Sequence, residues 1–202
     1  MDLRYPVTRY LYRPVSLRAA TLLAPTFVTP IQITWASALL FLAGAIAFGM
    51  GSYVVGAVII LVGEITDCVD GDLARITGRT SRWGAFLDSV LDRWTDAALI
   101  LGLAYSDMDS LGVAAGFALT ASFLTSYTRA RAQSLGVDCP DGIGGRDARV
   151  LVLVVAALLN FVLVGLITII VIGVITSIHR MIVAGREMER LERRERGTAE
   201  IP

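Results

Sequence analysis

Asp67, Asp70, Asp88 and Asp92 carry the clearest chemical signal in this chain, because they stand at i,i+3 and i,i+4 spacings inside otherwise apolar sequence. Asp67 shares one helix face with Asp70, and Asp88 shares one with Asp92. A charge in a membrane-spanning segment costs at least about 2.5 kcal/mol, so it marks a place where something is done. Carboxylates gathered together repel unless a cation neutralises them. The pattern predicts a metal site. Oxygen-only ligands select Mg²⁺, Mn²⁺ or Ca²⁺ over zinc, and no His or thiolate cluster accompanies them. Four carboxylates suit one or two ions, and two ions about 3.5 to 4 Å apart clamp a phosphoryl group with its leaving oxygen.

The neighbouring residues fit a phosphorylated ligand. Gly71, Ala74 and Gly84 lack bulk, which lets a ligand approach the backbone and equally serves helix packing. Arg75 either pairs with a phosphate in the same cavity or anchors the helix end on the basic side of a membrane. Glu64 and Asp96 extend the acidic faces by one turn and suit groups that orient ligands.

These residues need elements to position them. The chain has 202 residues, 55% hydrophobic, with zero net charge and a mean hydropathy of +0.66. That composition predicts an integral membrane protein and gives no reason to expect a nucleic-acid partner. All 18 basic residues are Arg. Cys68 and Cys139 form no metal or redox motif, His179 suits a packing role, and no cleavable signal peptide is visible.

Residues 1–28 alternate Arg4, Arg9, Arg13 and Arg18 with apolar side chains, which predicts an amphipathic helix in the headgroup region. A six-helix transmembrane catalytic domain is expected over residues 29–186 and a charged cytoplasmic tail over 187–202. Thr29-Pro30 opens the first span, which runs to Met50. Tyr53 to Arg75, Trp83 to Tyr105 and Leu111 to Thr128 form the next three. The uncharged run from Val150 to Ile178 is long for one span and short for two. Charge decides. Arg75, Arg79 and Arg82 precede span three and Arg129, Arg131, Arg146 and Arg149 precede span five, whereas the opposite loops hold no Arg. The tail is Arg-rich as well, so the positive-inside rule puts both termini in the cytoplasm and a turn near Asn160 to Gly165. Asp67 lies eight residues before Arg75 and Asp92 ten after Arg82. At 1.5 Å per residue both sit roughly 10 to 15 Å below the cytoplasmic helix ends, on consecutive antiparallel spans.

The pattern D-x2-D-G-x2-A-R-x8-G-x3-D-x3-D, formed by Asp67, Asp70, Gly71, Ala74, Arg75, Gly84, Asp88 and Asp92, resembles the signature of the CDP-alcohol phosphotransferases. The resemblance implies transfer of a substituted phosphate from a CDP-alcohol to an acceptor hydroxyl with release of CMP. It implies that Asp67, Asp70, Asp88 and Asp92 bind metal, as a pair of Mg²⁺ or Mn²⁺ ions in the family manner, and that Asp92 also acts as general base. Gly71, Ala74, Arg75 and Gly84 would bind the CDP donor. A second likeness is to the branch that accepts inositol phosphate, carried by Ser126-Tyr127-Thr128-Arg129-Ala130-Arg131 and Gly145-Arg146-Asp147-Ala148-Arg149. That likeness implies that Arg129, Arg149 and Arg180 hold the acceptor's phosphate, most naturally inositol 1-phosphate, with glycerol 3-phosphate or another alcohol as the alternative. Positive-inside anchoring is the other reading of those three Arg. The family further implies a homodimer in the cell membrane, contacting lipid and opening to the cytoplasm, with Gly44, Gly49 and Gly116 as candidate close-packing residues.

Two other classes share the intramembrane carboxylates. A membrane prenyltransferase would show a second aspartate-rich motif and more helices. A cation transporter would carry its carboxylates at the midplane between symmetric halves. Neither pattern is present in the sequence.

Overall fold

The computed structural model describes residues 12–139 and 142–199. Arg4 and Arg9 of the expected amphipathic segment, and the last residues of the tail, lie outside the described residues. Regular structure among the described residues is helical: α1 (Arg13–Leu23), α2 (Pro30–Gly49), α3 (Tyr53–Ile76), α4 (Arg82–Ser106), α5 (Met108–Ser134), α6 (Arg146–Leu158) and α7 (Val162–Ala199).

The helix ends follow from local chemistry. Thr29 caps α2 through its hydroxyl, Gln32 reaches back to the Thr29 N–H, and Pro30 starts the helix. Gly51 and Gly78 take positive φ of 73° and 66° beyond α2 and α3, where a left-handed backbone turns the chain. Asn160, at φ 58°, does the same between α6 and α7. The long uncharged run therefore reverses at 159–161. Its first arm, α6, has only 13 residues, about 20 Å at the helical rise and less than the ~30 Å of a bilayer core.

Three helices are long and apolar enough to cross a membrane by length and composition: Pro30–Gly49, Met108–Ser134 and Val162–Arg194. The helices α3 and α4, of 24 and 25 residues, have the length, but the second half of α3 and the first half of α4 carry the acidic motif. The expected separate tail is continuous with α7, and its exposed pairs Arg190–Glu187, Arg193–Glu189 and Arg196–Glu192 follow i,i+3 and i,i+4 spacing.

The core is built from small residues and large ones set against them. Phe41, Phe48, Ile60, Leu99, Leu103, Leu166 and Ile169 are buried in one cluster with Ala45, Ala57, Ala115 and Ala118. Close approach of α2 to α3 requires Gly44, where an added Cβ would lie 2.5 Å from Ile60 Cγ1. Gly44 is thus committed to packing within the chain and is not available to a second copy, which corrects its expected role. Gly49 faces Tyr105 and the Gly102 carbonyl, whereas nothing lies within 4 Å of a Cβ at Gly116. Leu39, Ile46, Val54, Val58, Phe117, Val164 and Val171 are exposed around the bundle, the clothing of a membrane protein rather than of a water-facing one.

α1 packs on α3. Ala20 meets Val69 and Leu73 in a small apolar cluster, and the buried Ser16 hydroxyl donates to Asp72 Oδ2 at 2.7 Å. These contacts tie the N-terminal helix to the half of α3 that carries the acidic motif.

Candidate active site

The turn between α3 and α4 brings the acidic residues together, with carboxylates from the second half of α3 and the first half of α4 converging on one point. Ligand oxygens of Asp67, Asp70 and Asp88 all lie within 4.8 Å of one another. Three hard oxygens at that separation fit a divalent cation of the Mg²⁺ or Mn²⁺ kind. Two hydroxyls of α2 orient the set: Thr34 donates to Asp70 Oδ2 at 2.5 Å and Ser37 to Asp67 Oδ1 at 3.1 Å.

Asp92, one turn beyond Asp88, sits differently. Its Oδ1 lies 3.1 Å from Arg146 Nε and its Oδ2 3.4 Å from the Arg93 guanidinium. Arg146 is the residue that sequence reasoning quoted but did not assign. Its guanidinium also approaches Asp67 Oδ2 at 3.2 Å, Glu64 Oε1 at 3.4 Å and Asp96 Oδ1 at 3.5 Å, and it lies 4.8 Å over the Phe41 ring. The pairs at Nε and at Glu64 Oε1 are close without being aligned as hydrogen bonds, and both atoms are buried without a hydrogen-bond partner. One guanidinium thus neutralises carboxylates from two helices. The signal was available in the Gly-rich approach to Gly145-Arg146, which starts α6 at the level of the acidic faces.

Two cavities flank the carboxylates. The first, about 380 Å³, is lined by Thr34, Asp70, Gly71, Ala74, Arg75, Arg79, Gly84 and Asp88, among others. All four expected donor-binding residues are on its wall. Arg75 leans over Gly71, where an added Cβ would come within 3.4 Å of its guanidinium. The second, about 420 Å³, is lined by Asp67, Ser89, Asp92, Ser126, Arg129, Gln133, Arg146, Arg149 and Arg180, among others. The three expected phosphate-binding Arg converge there from α5, α6 and α7.

Those three are not equivalent. Arg149 and Arg180 are each 3% exposed. Arg149 donates to Asp96 Oδ2 and to the Gly144 carbonyl, each at 2.7 Å, and Arg180 donates to the Thr125 carbonyl at 2.6 Å. Charges so buried are fixed in direction by their partners before any ligand arrives. Near the acidic faces, Tyr12 packs with its hydroxyl buried and without a hydrogen-bond partner. Burial raises its pKa above the ordinary tyrosine value, and the Glu64 charge adds to that.

Residues 25–183 match the sequence profile of the CDP-alcohol phosphatidyltransferase family. Archaetidylinositol phosphate synthase of Pyrococcus horikoshii is 34% identical over 72% of this chain and 77% of its own length. Phosphatidylinositol phosphate synthase of Streptomyces avermitilis is 38% identical over 64% of this chain and 56% of its own. Among solved structures, phosphatidylinositol phosphate synthase of Mycobacterium tuberculosis with CDP-DAG bound superposes with a TM-score of 0.76 and 27% identity, over 85% of this chain and 94% of that one. The same enzyme has been solved in complex with manganese and citrate, again at a TM-score of 0.76.

Proposed function

This chain belongs to the CDP-alcohol phosphatidyltransferase family, and we propose that it transfers a phosphoalcohol from a CDP-linked lipid to a hydroxyl of inositol 1-phosphate, releasing CMP. The observation that carries this reading is the carboxylate set standing between two cavities of unlike character. One is lined by small residues beside two exposed Arg, Arg75 and Arg79, as suits a nucleotide diphosphate. The other is lined by Arg from four helices, as suits a compact phosphate dianion.

In this reading Asp67, Asp70 and Asp88 hold divalent cation, Mg²⁺ or Mn²⁺, and Asp92 takes part in holding a second ion. Bound there, the cations supply charge stabilisation for the pyrophosphate oxygens. The chain's own residues do the rest. Gly71, Ala74 and Gly84 admit the cytidine diphosphate close to the backbone, and Arg75 pairs with its phosphate oxygens. Arg129, Arg149 and Arg180 hold the acceptor's phosphate and turn its hydroxyl toward the donor. Asp92, which lines the second cavity beside Arg146, takes the hydroxyl proton as the oxygen attacks the phosphorus bearing the lipid. A new P–O bond forms to the acceptor, the P–O bond to the CMP phosphate breaks, and CMP leaves with that oxygen.

The same reading gives six membrane-spanning helices, α2 to α7, behind an amphipathic α1, with the site open to the cytoplasm of a cell-membrane homodimer. It is supported by the exposed apolar belt and by Arg on one side of each helix pair. The decisive experiment measures CMP release by purified protein across a matrix of CDP-donors and acceptors. Turnover is expected with inositol 1-phosphate and is abolished by EDTA. Turnover with glycerol 3-phosphate alone would replace the acceptor, and turnover indifferent to chelator would remove the metal.

A further inference from the structure

Behind the donor cavity lies a buried polar contact that the proposed chemistry does not use. Asp72 is 2% exposed, yet it sits in the middle of the acidic motif with both oxygens engaged. Oδ2 accepts from the Ser16 hydroxyl of α1 at 2.7 Å, and Oδ1 accepts from the Arg75 guanidinium at 2.7 Å. Ser16 is fully buried and its oxygen is also 3.3 Å from the Arg13 carbonyl. The shorter contact to a carboxylate takes the proton, because charge-assisted hydrogen bonds are the stronger kind.

We infer that Ser16 and Asp72 are positioning residues for the donor site, holding the Arg75 guanidinium over Gly71 so that docking of α1 on α3 and binding of the nucleotide diphosphate are coupled. The inference rests on the assignment of the first cavity to the donor. A buried carboxylate needs a counter-charge, and among the described residues Asp72 makes its ion pair with Arg75. The Arg75 side chain is otherwise 60% exposed, so without Asp72 it would sample many rotamers. Asp72 occupies one N–H of a guanidinium that has five, which leaves the outward-facing donors for phosphate oxygens. Fixing a flexible side chain beforehand removes an ordering cost from ligand binding. Ser16 in turn fixes the carboxylate, and it does so from a helix that contributes nothing else to the cavity. The N-terminal helix is thereby part of the donor site without touching the donor.

The test uses the full chain in lipid nanodiscs, with CDP in the presence of Mn²⁺ as the binding probe and CMP release for the two Michaelis constants. Asp72→Asn is expected to weaken CDP binding and raise the donor KM by about tenfold, the scale of one misdirected charge-assisted contact. Ser16→Ala, a smaller change that keeps the ion pair and preserves the test should Asp72→Asn fail to fold, is expected to give about threefold in the same direction. Acceptor KM should stay within about twofold in both. In an Arg75→Ala background neither change should matter further, since all three act through one guanidinium. If Arg75→Ala weakens CDP but Asp72→Asn and Ser16→Ala do not, or if they tighten it, the positioning role is overturned while the donor assignment stands. If Arg75→Ala leaves CDP binding untouched, the donor assignment falls and takes the coupling with it. Equal increases in both Michaelis constants would mark Ser16 and Asp72 as merely structural.

Discussion

The two cavities on either side of the carboxylates are of similar size, about 380 and 420 Å³, but they are built in opposite ways. The first draws on the start of α2 and the α3–α4 hairpin, and its cations, Arg75 and Arg79, are exposed. The second draws on α3, α4, α5, α6 and α7, and two of its cations, Arg149 and Arg180, are buried against fixed acceptors. On the proposed assignment, a nucleotide offers its own extended shape and two phosphates, so small residues and cations at an open rim suffice. A small polyol phosphate offers less to grip, and the cations must already point at it. The contrast separates a site made by local spacing from one made by tertiary convergence.

The largest expected effect removes a member of the carboxylate set between the two cavities, Asp88 lining the first and Asp67 the second. Asp67→Asn or Asp88→Asn should lower kcat for CMP release by about 10³-fold or more, equivalent to about 4 kcal/mol of charge stabilisation. Both variants should keep their helical content by circular dichroism. Activity within tenfold of the parent would mean that neither aspartate belongs to the reacting centre.

Next in size is the cation that props up the second cavity. Arg146 faces Glu64, Asp67, Asp92 and Asp96, so Arg146→Gln leaves buried carboxylates without compensation, at a cost of about 3 to 5 kcal/mol. The melting temperature should fall, and added Mn²⁺ should recover more of it in the variant than in the parent, since a divalent ion can replace the missing charge. Equal stabilisation of both proteins by Mn²⁺ would show that Arg146 and the ion do not share ligands.

A matched pair then sharpens the assignment of one ligand to each cavity. Arg129→Gln is expected to raise the acceptor KM about tenfold and leave the donor KM alone, and Arg75→Ala to do the reverse, each the loss of one charge-assisted contact. Steady-state kinetics with each substrate varied in turn reads both. Crossed or shared effects would merge the two cavities into one.

What could be read from the sequence divides along the same line. Asp67, Asp70, Gly71, Ala74, Arg75, Gly84, Asp88 and Asp92 lie within one hairpin, where the helical period alone fixes which residues share a face. The capping of α2 by Thr29 was visible for the same reason. The central place of Arg146 was not, because its four carboxylate neighbours come from two other helices, with Asp67 lying 79 positions away. Nor was the split between Asp92, held between Arg146 and Arg93, and the three aspartates that cluster together, since one helical turn alone separates Asp92 from Asp88. The docking of α1 was hidden behind its Arg content, which reads as a surface helix, while the residues that bind it to α3 are the inconspicuous Ser16 and Ala20. The span count met a similar limit: α6 is short and α3 and α4 trade apolar residues for chemistry, so composition alone picks out three helices.

The smallest effect tests whether the donor cavity depends on the bareness of its floor or on helix packing. A Cβ at Gly71 would meet only the far end of Arg75, at ordinary van der Waals distances of 3.4 to 3.7 Å, so Gly71→Ala is accommodated without straining anything rigid. Alanine in place of a helical glycine is favourable by about 1 kcal/mol, so the melting temperature should hold or rise. Donor KM should nevertheless rise about threefold, as the new methyl group occupies space beside the diphosphate. Gly44→Ala is the counterpart at a packing glycine, where the Cβ would come 2.5 Å from Ile60 Cγ1 and 3.3 Å from the Gly56 carbonyl. There the melting temperature should fall, by the overpacking cost of about 1 to 3 kcal/mol, with both Michaelis constants unchanged. Two glycines on neighbouring helices would then answer the same substitution in opposite currents, one in binding and the other in stability. A Gly71→Ala protein that loses stability and keeps its donor KM would place Gly71 with Gly44, among the residues that let helices touch.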